Sequence, residues 1–245
     1  MNPQLVVVLV EPSGPLNIGS VARLCANFET GPLRLVSPRC DATGEQAQLM
    51  AVHAAERLQT CERFESLEAA VADCRRVVAC SGRIEAQERD HLEPAPALQW
   101  LMQAIPGPPR VALVFGREDH GLHNSELQLA GRLLRIPTAQ SYSSMNLSHA
   151  VAVCLAALPL PQESEAAARS EALPAQGALE AALKDAEALL LEVGFLYPHT
   201  AEARMAKLRQ LLLRAEPQEG EVALLRGMVR QLRWASRHGG AEQGQ

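Results

Sequence analysis

At 245 residues the chain has room for one large domain, or for a domain with a smaller companion. Its 47% hydrophobic and 21% charged residues are those of an ordinary globular protein, which excludes disordered, collagen-like and coiled-coil classes. The net charge of −5 taken alone argues against a polyanionic partner, and the longest apolar run, Ala150–Leu158, is about half the length of a membrane-spanning helix.

Leu5–Val10 is a continuous apolar run, the pattern of a strand buried on both faces. Met1-Asn2-Pro3-Gln4 before it holds no basic residue, and the run is too short for a signal-peptide core, so the expected location is cytoplasmic. Periodicity then predicts a helix over Ser20–Phe28, a strand over Leu33–Val36, and helices over Ala47–Leu58 and Leu67–Cys74. Further strands are predicted at Val77–Cys80, Val111–Phe115 and Leu133–Ile136, with helices at Pro96–Ala104, Ser125–Ala130 and Leu147–Leu158. Such alternation over residues 1–158 implies an α/β fold, a mostly parallel sheet with helices on both faces.

Pro159, Pro161 and Pro174, set among Gln, Ser and Glu, make 159–177 a linker. A small helical domain is expected over 178–237. Leu179, Leu183, Ala186, Leu190 and Val193 keep helical spacing up to a terminating Gly194, a second helix begins after Thr200, and a third spans Glu221–Arg237. Residues 238–245 read as a frayed tail.

The charge is unevenly placed. Residues 200–237 hold eight basic and four acidic side chains, against 15 and 23 in residues 1–199. The only lysines are Lys184 and Lys207, so the first 183 residues offer no P-loop lysine, Schiff-base lysine or lysine general base. Six cysteines without a C-x-x-C pair read as reduced thiols.

In open parallel sheets ligands bind beyond the carboxyl ends of the strands, which directs attention to four loops. These are Glu11 to Arg23, Cys80-Ser81-Gly82, Gly116 to Leu122, and Pro137 to Leu147. No G-x-G-x-x-G or G-x-S-x-G is present, and Ser20-Val21 follows Gly14 and Gly19 where a P-loop requires Lys-Ser/Thr. His120 and His123 lack a third ligand at a convincing spacing, so no metal is expected.

Three segments, each following a strand, carry a family resemblance: Asn17-x-Gly19-x-x-Ala22-Arg23, Phe115-Gly116-x-Glu118-x-x-Gly121-Leu122, and Ile136-Pro137…Ser143-Ser144-x-Asn146-Leu147. In this order they resemble the motifs of the SpoU/TrmH branch of the SPOUT RNA methyltransferases. Met205-x-Lys207-Leu208-x-x-Leu211 and Leu225-Arg226-Gly227 are similar to segments of those members that 2′-O-methylate nucleotide 32, C or U, of the tRNA anticodon loop. The resemblance implies a SPOUT α/β deep trefoil knot, S-adenosylmethionine as cofactor, a homodimer, tRNA as substrate, and no DNA or membrane partner. Ribosomal RNA as substrate and a non-catalytic RNA-binding role are the alternatives.

By motif position the implied cofactor contacts are Cys80, Ser81, Gly82, Gly116, Ile136, Ser143, Ser144, Met145 and Leu147. Cys80 departs from related sequences, which often carry Thr there. Arg23 is the residue the family treats as essential. Its guanidinium suits holding a phosphate and stabilising the alkoxide, and the proton acceptor stays open between phosphate, water and Arg23 itself. The resemblance has Asn17 positioning Arg23 or the ribose, and Glu118 orienting Arg23 or the loop. Ser144 and Asn146 would bind the nucleotide or brace the knot.

Arg226, Arg230, Arg233 and Arg237 are spaced 4, 3 and 4 and so share one helix face, either an RNA phosphate contact or a solvated surface. Val222, Leu225, Val229 and Leu232 form the opposite, packing face. Trp100 and Trp234 are expected to pack.

Overall fold

The computed structural model describes residues 4–82, 91–103, 110–159 and 173–238. Seven parallel strands form one sheet in the order β3-β2-β1-β6-β4-β7-β5. They are β1 (Leu5–Val10), β2 (Leu33–Val36), β3 (Glu62–Phe64), β4 (Cys74–Cys80), β5 (His91–Leu92), β6 (Arg110–Phe115) and β7 (Arg132–Leu134). All six residues of β1 are buried because the sheet is covered on both faces. Leu5, Val7 and Leu9 face a core built with α1 (Pro15–Asn27), α5 (Pro94–Met102) and α7 (Leu147–Ala156). Val6, Val8 and Val10 face the other core, with α4 (Leu67–Ala70) and α6 (Asn124–Leu127).

Several elements differ from expectation for identifiable reasons. Helix α1 starts at Pro15 rather than Ser20, since a proline at the first helical position has its φ already set and loses no needed N–H. The helix expected over Ala47–Leu58 is broken into α2 (Glu45–Ala51), a 3-10 turn (Val52–Ala54) and α3 (Ala55–Gln59), with Val52 at φ 53°. Over Leu67–Cys74 only the single turn α4 is helical, capped by the Ser66 hydroxyl accepting from the Ala69 N–H, and Cys74 already belongs to β4. The edge strands β3 and β5 were not expected; three and two residues are too few to carry a period. Ala104, the expected end of α5, lies outside the described residues.

Helices α8 (Gln176–Glu192), α9 (Pro198–Ala215) and α10 (Glu219–His238) form the C-terminal unit around Leu179, Ala182, Leu183, Leu196, Ala201, Met205, Leu213 and Val222. α8 begins inside the expected linker, most of which lies outside the described residues, as does the tail beyond His238. The unit rests on the α/β part: the Gly177 N–H donates to Ala72 O (2.9 Å), the Gln210 amide to Gln128 O (3.2 Å), and Lys184 to Glu68 (2.6 Å). On α10 the packing face stops early. Val222 is buried and Leu225 and Val229 are half-buried, but Leu232 is 57% exposed. Trp234 is likewise exposed and lies against His238, whereas the Trp100 ring has the guanidiniums of Arg76 and Arg132 5.1 and 4.9 Å from its centre. No helix among the described residues is long and apolar enough to cross a membrane.

Candidate functional site

Strands β1, β6, β4 and β7 are consecutive neighbours and parallel, so their following loops meet at one edge of the sheet. The Glu118 carboxylate, in the loop after β6, is the point where they are tied. One oxygen accepts from the Ser13 N–H (3.0 Å) and hydroxyl (3.1 Å), the other from the Gly14 N–H (3.0 Å) and the Asn17 amide (3.1 Å). Burial pushes this carboxyl up, and the N–H groups of Ser13, Gly14 and Glu118 itself with the Asn17 amide outweigh it, holding Glu118 below its ordinary value.

The chain of bonds continues. Asn17 Oδ1 accepts from the Asn146 amide (3.0 Å), and Asn146 Oδ1 caps α7 by accepting from the His149 N–H (3.3 Å) and the Ser148 hydroxyl (2.8 Å). One residue from each of the three motifs thus enters a single hydrogen-bonded relay.

Behind this relay the loop after β6 is fixed at its base. A side chain at Gly116 would come within 2.3 Å of the Gly121 carbonyl carbon, so only glycine permits the loop to fold back on itself. Gly121 provides the turn at φ 70°. Arg117, nearly buried, reaches both oxygens of Glu126 (2.9 and 3.0 Å), the Gly121 carbonyl (3.2 Å) and Glu11. Its guanidinium brings the Glu11 carboxyl down to about 2.

A cavity of about 300 Å³ opens in front of these loops, within the range of small-molecule sites. It is lined by Cys80, Ser81, Gly82, Gly116, Ile136, Ser143, Ser144, Met145 and Leu147, the nine residues expected to contact a cofactor. Thr138, Asp119 and Ala150 also line it and carry no sequence signal of their own; His120, which the sequence offers only as a weak metal ligand, lines it as well. The Ser81 N–H is held by Leu134 O at 2.9 Å, which fixes the backbone of that wall. Behind the wall, the Cys80 thiol and burial together push the Cys154 thiol of α7 well up, leaving it protonated and inert.

Two sets of expected residues are placed otherwise. Arg23 is on the exposed side of α1, six residues beyond Asn17, is absent from the cavity lining, and has no ion pair or hydrogen bond to any described residue. Neither Asn17 nor Glu118 positions it within one chain; both are used up in the relay. In α10, Arg226 pairs with Asp185 (3.5 Å), Arg233 donates to the Asp185 carbonyl (2.8 Å), and Arg237 engages Glu192 (2.8 and 3.2 Å). The carboxylates that do not interleave the stripe on α10 are supplied by α8, and only Arg230 of the four is left without a partner among the described residues.

Residues 4–156 match the model of the SpoU rRNA Methylase family, and residues 178–243 that of the tRNA methyltransferase TrmJ, C-terminal domain. The chain is 35% identical over 228 residues to the tRNA (cytidine/uridine-2′-O-)-methyltransferase TrmJ of Pectobacterium atrosepticum, covering 91% of this chain and 94% of that protein. It is 37% identical over 149 residues to the tRNA (cytidine-2′-O-)-methyltransferase TrmJ of Methanocaldococcus jannaschii, covering 61% of this chain and 64% of that one. The crystal structure of TrmJ from Z. mobilis ZM4 superposes with a TM-score of 0.82 at 29% identity, covering 93% of this chain and 98% of that one.

Proposed function

The chain belongs to the SpoU rRNA methylase family, and from that premise we infer that it is an S-adenosylmethionine-dependent enzyme that methylates a ribose 2′-hydroxyl of tRNA. The observation that carries this reading is the convergence of nine motif residues on one cavity whose wall is locked by the Glu118–Asn17–Asn146 relay. Similarity of the C-terminal region to a tRNA methyltransferase domain favours tRNA over ribosomal RNA. The resemblance of the segments around Met205 and Leu225 supports nucleotide 32 as the target, and the bacterial relative's name is in keeping with acceptance of both cytidine and uridine. The reaction takes place in the cytoplasm.

The cavity fits the cofactor by its residues. Gly82 leaves backbone accessible, Ile136, Met145 and Leu147 offer apolar surface, and Ser81, Ser143 and Ser144 add a few polar groups. When bound there, the cofactor supplies the methyl group. Ser144 hydrogen-bonds the incoming nucleotide, while Asn17, Glu118 and Asn146 hold the loops in register. A guanidinium keeps its proton, so Arg23 acts as a cation: it grips the adjacent phosphate and stabilises the developing alkoxide, and the hydroxyl proton passes to a phosphate oxygen or water.

Arg23 stands away from the cavity of its own chain, so the site is completed in a homodimer. Leu16, 47% exposed, Ser20 and Arg23 share one face of α1, and Val153, 39% exposed, lies on α7 packed beside it. A second copy seated on this face brings Arg23 of one protomer to the cavity of the other.

The test uses methyl-labelled cofactor and unmodified tRNA, with Arg23→Ala and a 2′-deoxy substitution at nucleotide 32 as controls. Label incorporated by the wild type and lost in both controls is the expected result. Label that survives the deoxy substitution moves the target; absence of label on every RNA, or failure to bind the cofactor, overturns the reading.

A further inference from the structure

The turn between α8 and α9 exposes two aromatic rings in a fixed setting. Gly194, at φ 76°, ends α8, and the Leu196 N–H returns to the Leu190 carbonyl at 2.9 Å. Leu196 is thereby driven into the helical core, 3% exposed, and its neighbours Phe195 and Tyr197 point outward, 63% and 56% exposed. Pro198 then fixes the first position of α9. Exposure here results from a pinned backbone.

Both rings are furnished. The Arg204 guanidinium lies 6.0 Å from the centre of the Phe195 ring and donates to the Phe195 carbonyl at 3.2 Å. Tyr197 stacks on His199, with centroids 5.9 Å apart and planes 20° from parallel. Along the same side of α9 follow Lys207 and Arg214, both exposed. None of Arg204, Lys207 and Arg214 has a carboxylate partner among the described residues, in contrast to Arg226, Arg233 and Arg237. Glu202, the acidic residue of this part of α9, is on the opposite side of the helix. From Arg204 to Arg214 the cations extend about 15 Å from the rings.

We propose that the α8–α9 elbow is an RNA-binding surface, on which Phe195 and Tyr197 stack bases of an unpaired stretch of the substrate while Arg204, Lys207 and Arg214 follow its phosphates. Exposed rings take any base by its π-face, and uncompensated cations give the matching charge. This rests on the proposed function, since it assigns the part of the protein that holds the substrate RNA. It also moves the main contact from the α10 stripe to α9, where the positive charge is uncompensated.

The experiment measures binding of an unmodified tRNA transcript and of a blunt RNA duplex over a range of salt concentrations. Phe195→Ala and Tyr197→Ala are each expected to weaken tRNA binding by about 5- to 100-fold and to leave duplex binding unchanged, with Phe195→Tyr retaining affinity. The triple variant Arg204→Ala, Lys207→Ala, Arg214→Ala is expected to reduce the log–log salt slope by about 2. Arg63→Ala, at an exposed arginine of the edge strand β3, leaves the slope unaltered. Cofactor affinity and thermal midpoint are read for every variant, and these exposed side chains leave both unchanged. Ring variants that bind tRNA like the wild type, or that lose duplex binding equally, overturn the platform while wild-type methylation still stands. A wild type that labels no RNA overturns the functional reading, and the platform with it.

Discussion

The guanidinium of Arg76, in β4, forms an ion pair of 2.9 Å with the carboxylate of Glu216, 140 residues later at the end of α9. The same guanidinium donates to the carbonyls of Trp100 (2.9 Å) and Gln103 (3.0 Å), and the Arg76 side chain is only 7% exposed. Arg76→Ala leaves two carbonyls and a carboxylate without their donor, for an expected cost of about 2–4 kcal/mol. Glu216→Gln removes only the partly exposed end of the pair and should cost about 1 kcal/mol or less. Urea unfolding of the two variants provides the check; equal losses would mean that the ion pair, and not the carbonyls, is what Arg76 contributes.

The relay through Asn17 has a direction. Glu118 only accepts, so Asn17 must turn its amide toward it and its oxygen toward Asn146, which therefore must donate. Asn146→Asp retains the cap on α7 but sets a carboxylate against the Asn17 oxygen. We expect full helical content and activity reduced at least tenfold at neutral pH, the stability deficit shrinking as acid protonates the new carboxyl. An Asn146→Asp enzyme as active as the wild type would remove the relay from the reaction.

Acid should weaken the same loops. Glu11 is brought down from 4.5 to about 2 by Arg117, and Glu118 is also lowered, its donors outweighing burial. A carboxyl with a depressed folded-state value contributes stability that is complete above its unfolded value and is lost as pH falls through the folded one. Stability of the wild type should therefore decline from about pH 4.5 toward pH 2, and less steeply in Glu11→Gln, which also starts lower at pH 7. Parallel curves for the two proteins would contradict the assignment.

Gly116→Ala and Gly121→Ala separate space from conformation in one loop. At Gly116 the new methyl meets backbone at 2.3 Å, which nothing nearby can yield. Gly121 has open space around it but sits at φ 70°. The first variant should lose measurable cofactor binding, and the second about 1 kcal/mol of stability with binding weakened only a fewfold. Isothermal titration with cofactor, beside thermal unfolding, distinguishes the two.

The sheet was readable in the sequence because a strand buried on both faces is a continuous apolar run, as in Leu5–Val10 and Val111–Phe115. Elements that resist such reading carry polar residues or are very short. Arg75 and Arg76 disguise the opening of β4, Glu62 and Arg63 hide β3, and Val52 at positive φ breaks a helix whose periodicity continues across it. For the site, the three motifs named Asn17, Glu118 and Asn146, but not that they bond to one another. A hydrogen bond between residues 129 positions apart leaves no periodic trace. The α10 stripe shows the complementary failure: spacing establishes which face the arginines occupy, while the carboxylates opposite them come from a different helix.

The position of β1 between β2 and β6 bears on how the protein emerges from the ribosome. Its first neighbour, β2, follows within 30 residues and can pair at once, with α1 laid over one face. Its second neighbour, β6, is not synthesised until residue 110, so Leu5–Val10 waits with one edge unpaired and apolar side chains above and below. A chain halted between β2 and β6 presents a short, sticky template to other nascent chains. Holding chaperones should therefore matter most during that interval, and truncated forms ending before Arg110 should aggregate where the complete chain does not.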